Sequence, residues 1–166
     1  MADGLRDFDW EAQQVLALAR RSADKHQHNY IAPEHIADAM VKRDRAVHFA
    51  AWRMLEFDSN SFHKRLLESM PQGGSIGIGN IPYTPEVKKL FAVSVKEAAR
   101  LGHDWVGTEH FLLAFFGVDT PVSALFQSMG LTHVAVEEAV LAELEQRSAA
   151  ERRTFNAKTQ RRDEEN

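Results

Sequence analysis

Histidines and carboxylates are the residues of this chain with chemistry to offer, and they come in recurring groups. His28 and His35 stand with Glu34, and His103 and His110 stand with Glu109, at the same spacing in both places. Imidazoles and carboxylates at close range are the raw material of zinc sites and of general acid–base catalysis. A zinc hydrolase needs three protein ligands and an outer ring of hydrogen bonds to orient them. His26 adds a third imidazole to the first group, but Leu101 takes its place in the second. Neither group has the His-Glu-x-x-His order of a metalloprotease helix. The expectation is therefore structural histidines that tie a loop to a helix start, with no metal and no cofactor. A metal-dependent hydrolase built on the His/Glu clusters is the alternative.

Other chemistries find no footing. The chain has no cysteine, so it offers no thiolate nucleophile, no thiolate metal site and no disulfide. Its glycines are never followed by Lys-Ser or Lys-Thr, which removes the phosphate loop of an ATPase, and nothing marks a nucleophile elbow. The chain reads as a non-enzyme.

The groups recur because the chain repeats itself. Displaced by 75 positions, residues 8–40 lie on 83–115 with seven identities: Glu11/Glu86, Ala17/Ala92, Ala23/Ala98, His28/His103, Glu34/Glu109, His35/His110 and Ala39/Ala114. Tyr30/Trp105 and Ile31/Val106 are conservative. Farther on the offset falls by one, so that Leu55 lies on Met129 and Phe57 on Leu131. The shared run His-x-aromatic-β-branched-x-x-Glu-His in one register indicates an internal duplication.

Each copy must position its group on helices. Asp9 and Thr84 are N-caps, with Pro85 at the first helical position, where its missing N–H costs nothing. Val15, Leu16, Ala19 and Ala23 form the apolar stripe of the first helix, matched in the second copy by Leu90, Phe91, Ser94, Val95 and Ala98. Thr108, after Gly107, is the expected cap of a helix apolar nearly all round, Phe111 to Phe116, which belongs at the centre. Pro121 opens a third helix ending near Gly130, and Thr132 caps a fourth carrying Val136, Val140 and Leu144. Ala46–Leu55 and a helix capped by Asp58 or Ser59, with Phe62, Leu66 and Met70, are their counterparts.

The expected fold is all-α: eight helices as two pseudo-twofold four-helix repeats, residues 6–70 and 83–145, forming one domain. The Gly/Pro-rich linker 71–82 is expected to be mobile over Gln72–Asn80. Residues 146–166 read as a charged helical extension and tail. Trp10, Trp52 and Trp105 are expected as core or rim anchors.

Composition sets further bounds. With 44% hydrophobic and 27% charged residues the chain is globular rather than disordered, and its apolar runs are too short to cross a membrane. A net charge of −4 gives little attraction for nucleic acid or an anionic membrane surface. An Arg-rich tail that binds nucleic acid stays as an alternative, although its acids nearly cancel its field. The polar N-terminus reads as no leader peptide, and a cytoplasmic location is expected.

A duplicated four-helix unit holding Gly-His-Asp-Trp-Val-Gly-Thr-Glu-His-Phe-Leu-Leu-Ala at 102–114 resembles the N-terminal repeat domain of the Clp/Hsp100 unfoldases, of ClpC/ClpA type. The segments Ala12–Arg20 and Tyr83–Leu90 resemble it as well, and the likeness covers about residues 6–145. It implies a non-catalytic protein-binding module, with a Clp ATPase, adaptors or substrate proteins as partners. It also implies that Gly107, Thr108 and Glu109 recognise a phosphorylated arginine, the carboxylate gripping the guanidinium while helix N–H groups and Thr108 hold the phosphate. Glu34 is the equivalent acid of the first copy, but Ala32-Pro33 there supplies neither the hydroxyl nor one N–H. No ATPase sequence accompanies the domain, and because the tail does not resemble the linker that leads into the first ATPase ring of that family, a stand-alone relative is expected in preference to an excised fragment.

Overall fold

The computed structural model describes residues 7–165; the N-terminal residues 1–6 and Asn166 lie outside them. Eight helices follow one another: α1 (Trp10–Lys25), α2 (Pro33–Val41), α3 (Val47–Met54), α4 (Ser59–Ser69), α5 (Pro85–Arg100), α6 (Thr108–Ala114), α7 (Pro121–Ser128) and α8 (His133–Glu165). Among the described residues there is no strand, only two isolated parallel bridges, Phe8 with Val106 and Ile31 with Tyr83.

Local chemistry starts these helices where the sequence indicates. The Asp9 carboxylate accepts from the Ala12 N–H at 2.8 Å, and the Thr84 hydroxyl accepts from the Val87 N–H at 3.3 Å. Asp58, not Ser59, caps α4 by accepting from the Ser61 N–H at 3.0 Å. Thr120 and Thr132 do the same for α7 and α8. Such caps satisfy amides that the helix itself leaves without partners.

The two bridges are one contact seen twice. Tyr83 is the counterpart of Phe8 and Val106 the counterpart of Ile31. The Asp9 N–H donates to the Val106 carbonyl at 2.9 Å, and the Thr84 N–H donates to the Ile31 carbonyl at 3.0 Å. A surface that pairs residue i with j and the counterpart of j with the counterpart of i is what a twofold axis produces. Helix packing repeats the exchange. The third helix of each copy packs on the fourth of the other, α3 on α8 and α7 on α4, and likewise on the other's second helix. The copies are interleaved rather than set side by side.

Where they interleave lies the core. Trp52, Phe62, Phe115 and Phe126 are buried there, with the Phe62 and Phe126 rings stacked 4.6 Å apart. α6 is buried on all sides, from Thr108 to Ala114, as its composition requires.

Three features differ from the sequence reading. Gly107, not Thr108, is the N-cap of α6, because the His110 ring reaches back to the Gly107 amide and leaves Thr108 inside the helix. The linker has more anchors than its glycines imply. Gly73 N–H donates to the His26 carbonyl at 2.8 Å, Ser75 N–H to the Gln27 carbonyl at 3.1 Å, and the Arg20 guanidinium to the carbonyls of Gly77 and Gly79. A Cβ at Gly73 would collide with the Gln27 carbonyl, so the close approach itself selects glycine. The extension after Glu145, in turn, is helical to Glu165 rather than ending as an irregular tail.

Candidate functional site

Each histidine group forms a directed relay. The Ala32 N–H donates to His35 Nδ1 at 2.9 Å, so His35 carries its proton on Nε2 and donates it to His28 Nδ1 at 2.8 Å. His28 Nε2 then donates to the Pro71 carbonyl at 2.8 Å. In the second copy the Gly107 N–H donates to His110 Nδ1 at 2.8 Å, and His110 Nε2 to His103 Nδ1 at 2.8 Å. His28 thus coincides with His103, and Glu34 with Glu109, at equivalent helix starts. Every ring nitrogen in the relay at His35 and His110 is engaged as neutral imidazole, and burial lowers both pKa values to about 4. A ligand nitrogen must be free to meet a metal, and these are not. They are the structural ties that the spacing led us to expect.

Glu109 is in a different condition. It is 6% exposed, and burial raises its pKa to about 7. Its carboxylate folds back onto its own amide at the start of α6 and covers Gly107, where a Cβ would run into both carboxylate oxygens. That fold-back is the reason for glycine at 107, whose φ of −103° is ordinary. His110 Nδ1 lies 3.7 Å away but accepts from an amide, so it offers no cation. Asp9 nearby raises the Glu109 pKa further, while Arg147 lowers it. Among the described residues no lysine or arginine forms a salt bridge with Glu109; a buried carboxylate in that condition weakens a fold, and such groups concentrate at functional sites.

Thr108 is buried, and its hydroxyl is paired with His48 Nδ1 at 2.8 Å, not free as the resemblance implies. His48 Nε2 donates to the Met40 carbonyl at 2.8 Å, so the ring is neutral and Thr108 is the donor to it. One fully buried imidazole therefore ties the end of α2 and the body of α3 to the start of α6, and burial lowers its pKa to about 4. Glu34, by contrast, is half-buried and follows Pro33, which has no N–H to give.

Sequence reasoning passed over His48. Its one signal was a lone polar ring inside the apolar run Val47-His-Phe-Ala-Ala-Trp52. It also passed over buried Asp38, which accepts from the Ser22 hydroxyl at 2.6 Å and meets His63 Nε2 at 2.6 Å, joining α1, α2 and α4. The carboxylate stands between serine and histidine, so the imidazole cannot act on the hydroxyl as it would in a hydrolase triad. Against the opposing effect of burial, the hydrogen bonds from Ser22 and His63 and the nearby Lys42 hold the Asp38 carboxyl below its usual range.

Of the three tryptophans only Trp52 is core. Trp10 and Trp105 are 68% and 59% exposed. Trp10 opens α1 just after Phe8, and Trp105 directly precedes Val106, so both flank the same bridge, beside the Asp9 cap and the start of α6. Large exposed aromatics beside a buried acid are the composition of a binding face.

Comparison with known proteins identifies the domain. The family model described as the Clp repeat (R) N-terminal domain matches residues 7–129. The negative regulator of genetic competence ClpC/MecB of Bacillus subtilis is 35% identical over 135 residues, which are 81% of this chain and 16% of that protein. The chain thus spans under a fifth of the length of this relative. Among solved structures, the N-domain of ClpV from Vibrio cholerae superposes with a TM-score of 0.74 at 10% identity, covering 87% of this chain and 89% of the other. A complex of a ClpV N-domain with a VipB peptide gives 0.71 at 10% identity, covering 86% and 91%. At such identities the likeness speaks for the fold.

Proposed function

Because the chain belongs to the family of Clp repeat N-terminal domains, we propose that it receives peptide segments of substrate or adaptor proteins on behalf of a Clp ATPase. As a domain it is non-catalytic. The observation that carries the reading is the pair Trp10 and Trp105, left exposed on either side of the Phe8–Val106 bridge while the two bridge residues themselves are buried. Tryptophan is the side chain whose burial against a partner contributes most at protein interfaces. A ClpV N-domain of the same fold holds a VipB peptide.

The narrower form of the reading assigns phosphoarginine recognition to Gly107, Thr108 and Glu109. What supports it is a buried carboxylate with no salt bridge to a lysine or arginine among the described residues, held beside helix-start amides that can meet a phosphate. Binding requires that carboxylate to swing off its amide toward the guanidinium, and the Thr108 hydroxyl to keep or exchange its bond to His48. Ionisation of Glu109, disfavoured in the closed state, becomes favourable once a guanidinium arrives.

The test is a titration of a fluorescently labelled, intrinsically unfolded casein with the chain, read as anisotropy. Saturable binding supports a peptide receptor. A flat titration, with free phosphoarginine equally silent in calorimetry, overturns both forms.

A further inference from the structure

The second half of α8 is not used by the fold. The helix runs 33 residues, about 50 Å, yet its buried residues are Val136, Ala139 and Val140, and everything from Ala150 to Glu165 is exposed. Val134, Leu141, Ser148 and Phe155 follow at intervals of seven, which places them on one stripe turned away from the core face. Val134, Leu141 and Phe155 are 65%, 43% and 70% exposed.

Charge along the helix is sharply divided. From His133 to Gln146 it carries four glutamates and no lysine or arginine; from Arg147 to Arg162 it carries six basic residues and the single acid Glu151. Asp163, Glu164 and Glu165 then close it. Along the stripe itself the acids Glu138 and Glu145 lie on the first half and Arg152 on the second. Arg152 reaches Glu145 at 3.1 Å within the helix, but both side chains remain largely exposed, so the pairing satisfies neither half.

We propose that α8 pairs antiparallel with α8 of a second copy of this chain, the two helices crossing at Ser148. A second copy turned end for end is complementary in charge along the whole length, acidic half on basic half. Leu141 then meets the other Phe155 and Glu145 the other Arg152. The terminal acids approach the start of the other α8, where the helix dipole favours them. A parallel pair would set acid on acid and base on base.

The experiment is sedimentation of the full chain from micromolar to several hundred micromolar, at low and at high salt. A dimer that forms at low salt and weakens as salt rises is expected. Arg152→Glu should weaken association at least tenfold, and Glu145→Arg with Arg152→Glu should restore it, because the swap rebuilds the pair between copies. Both positions lie outside the core, so the fold is not at stake. The chain has no cysteine, so Thr159→Cys provides a single spin-label site; the antiparallel pair puts the two labels about 33 Å apart and a parallel pair about 10 Å. A single-chain mass at every concentration overturns the proposal. So does a dimer indifferent to Arg152→Glu, or a short label distance.

Discussion

Replacing Glu109 by glutamine should make the protein more stable as pH rises above about 4.5, with the full gain reached above pH 7. The wild-type carboxyl has its pKa raised by burial from 4.5 to about 7. The folded state therefore holds a proton more tightly than the unfolded chain does. Its contribution to stability is complete below about pH 4.5, declines between there and pH 7, and is gone above. A shift of that size, at about 1.4 kcal/mol per pH unit, amounts to roughly 3 kcal/mol. Glutamine keeps the shape and the acceptor for the Glu109 amide but never ionises. Glu109→Gln should stay within about 1 kcal/mol of wild type at pH 5 and exceed it by up to about 3 kcal/mol at pH 8, roughly 10 °C in Tm for a chain of this size. Other titrations are common to both proteins and cancel in the difference. Thermal melts of the two proteins from pH 5 to pH 8 provide the curve. A difference that does not grow with pH, or a less stable glutamine variant at pH 8, refutes the claim that this acid is held at a cost to the fold.

Four other outcomes follow from the same geometry. His35, His48 and His110, each with its pKa lowered to about 4, should destabilise the wild-type fold as pH falls below 6.5, and Glu109 offsets one of the three, leaving a net loss of roughly 3 kcal/mol per pH unit; melts that are flat from pH 7 to pH 5 would show the relays are not neutral. His48→Phe should cost about 2–3 kcal/mol at pH 7, since it leaves the Thr108 hydroxyl and the Met40 carbonyl buried without a partner, as urea titration would measure. Glu56 sits at φ 53°, where its counterpart in the second copy is Gly130 at φ 92°, so Glu56→Gly should raise stability by about 1 kcal/mol in the same titration. Phosphoarginine should prefer the second copy: in calorimetry Glu109→Ala removes most binding and Glu34→Ala changes it little, whereas equal losses would mean that the copies are equivalent.

How far the sequence carried the reader is clearest at the helix starts. Asp9, Thr84 and Asp58 cap where their residue types imply, because a side-chain oxygen before an apolar run has few other uses. The duplication was legible to the level of single hydrogen bonds, since matched histidines at matched spacing have matched partners. It extended even to backbone conformation: Gln27 and Gly102, and Glu56 and Gly130, share positive φ although only one of each pair is glycine. The α6 cap was misread because its acceptor is a ring three residues inside the helix, which frees Thr108 for a partner sixty residues away. Nothing local announces such a bond. The linker's hydrogen bonds to His26 and Gln27 had no local signal either, since the close approach that selects glycine at 73 is to a loop far back in the chain. At the candidate site the sequence identified Glu109, but its burial and the exposure of Trp10 and Trp105 depend on how the copies interleave, and that is a tertiary property.

The most direct test of peptide reception is the affinity of the chain for labelled unfolded casein when Trp10 and Trp105 are both replaced by alanine. Both side chains are exposed, so the double variant should melt close to wild type. If the two rings anchor the peptide, losing them should weaken binding by tenfold or more, at about 1–2 kcal/mol or more for each buried tryptophan. Unchanged affinity in a folded double variant would contradict the account and move the receptor surface elsewhere on the domain.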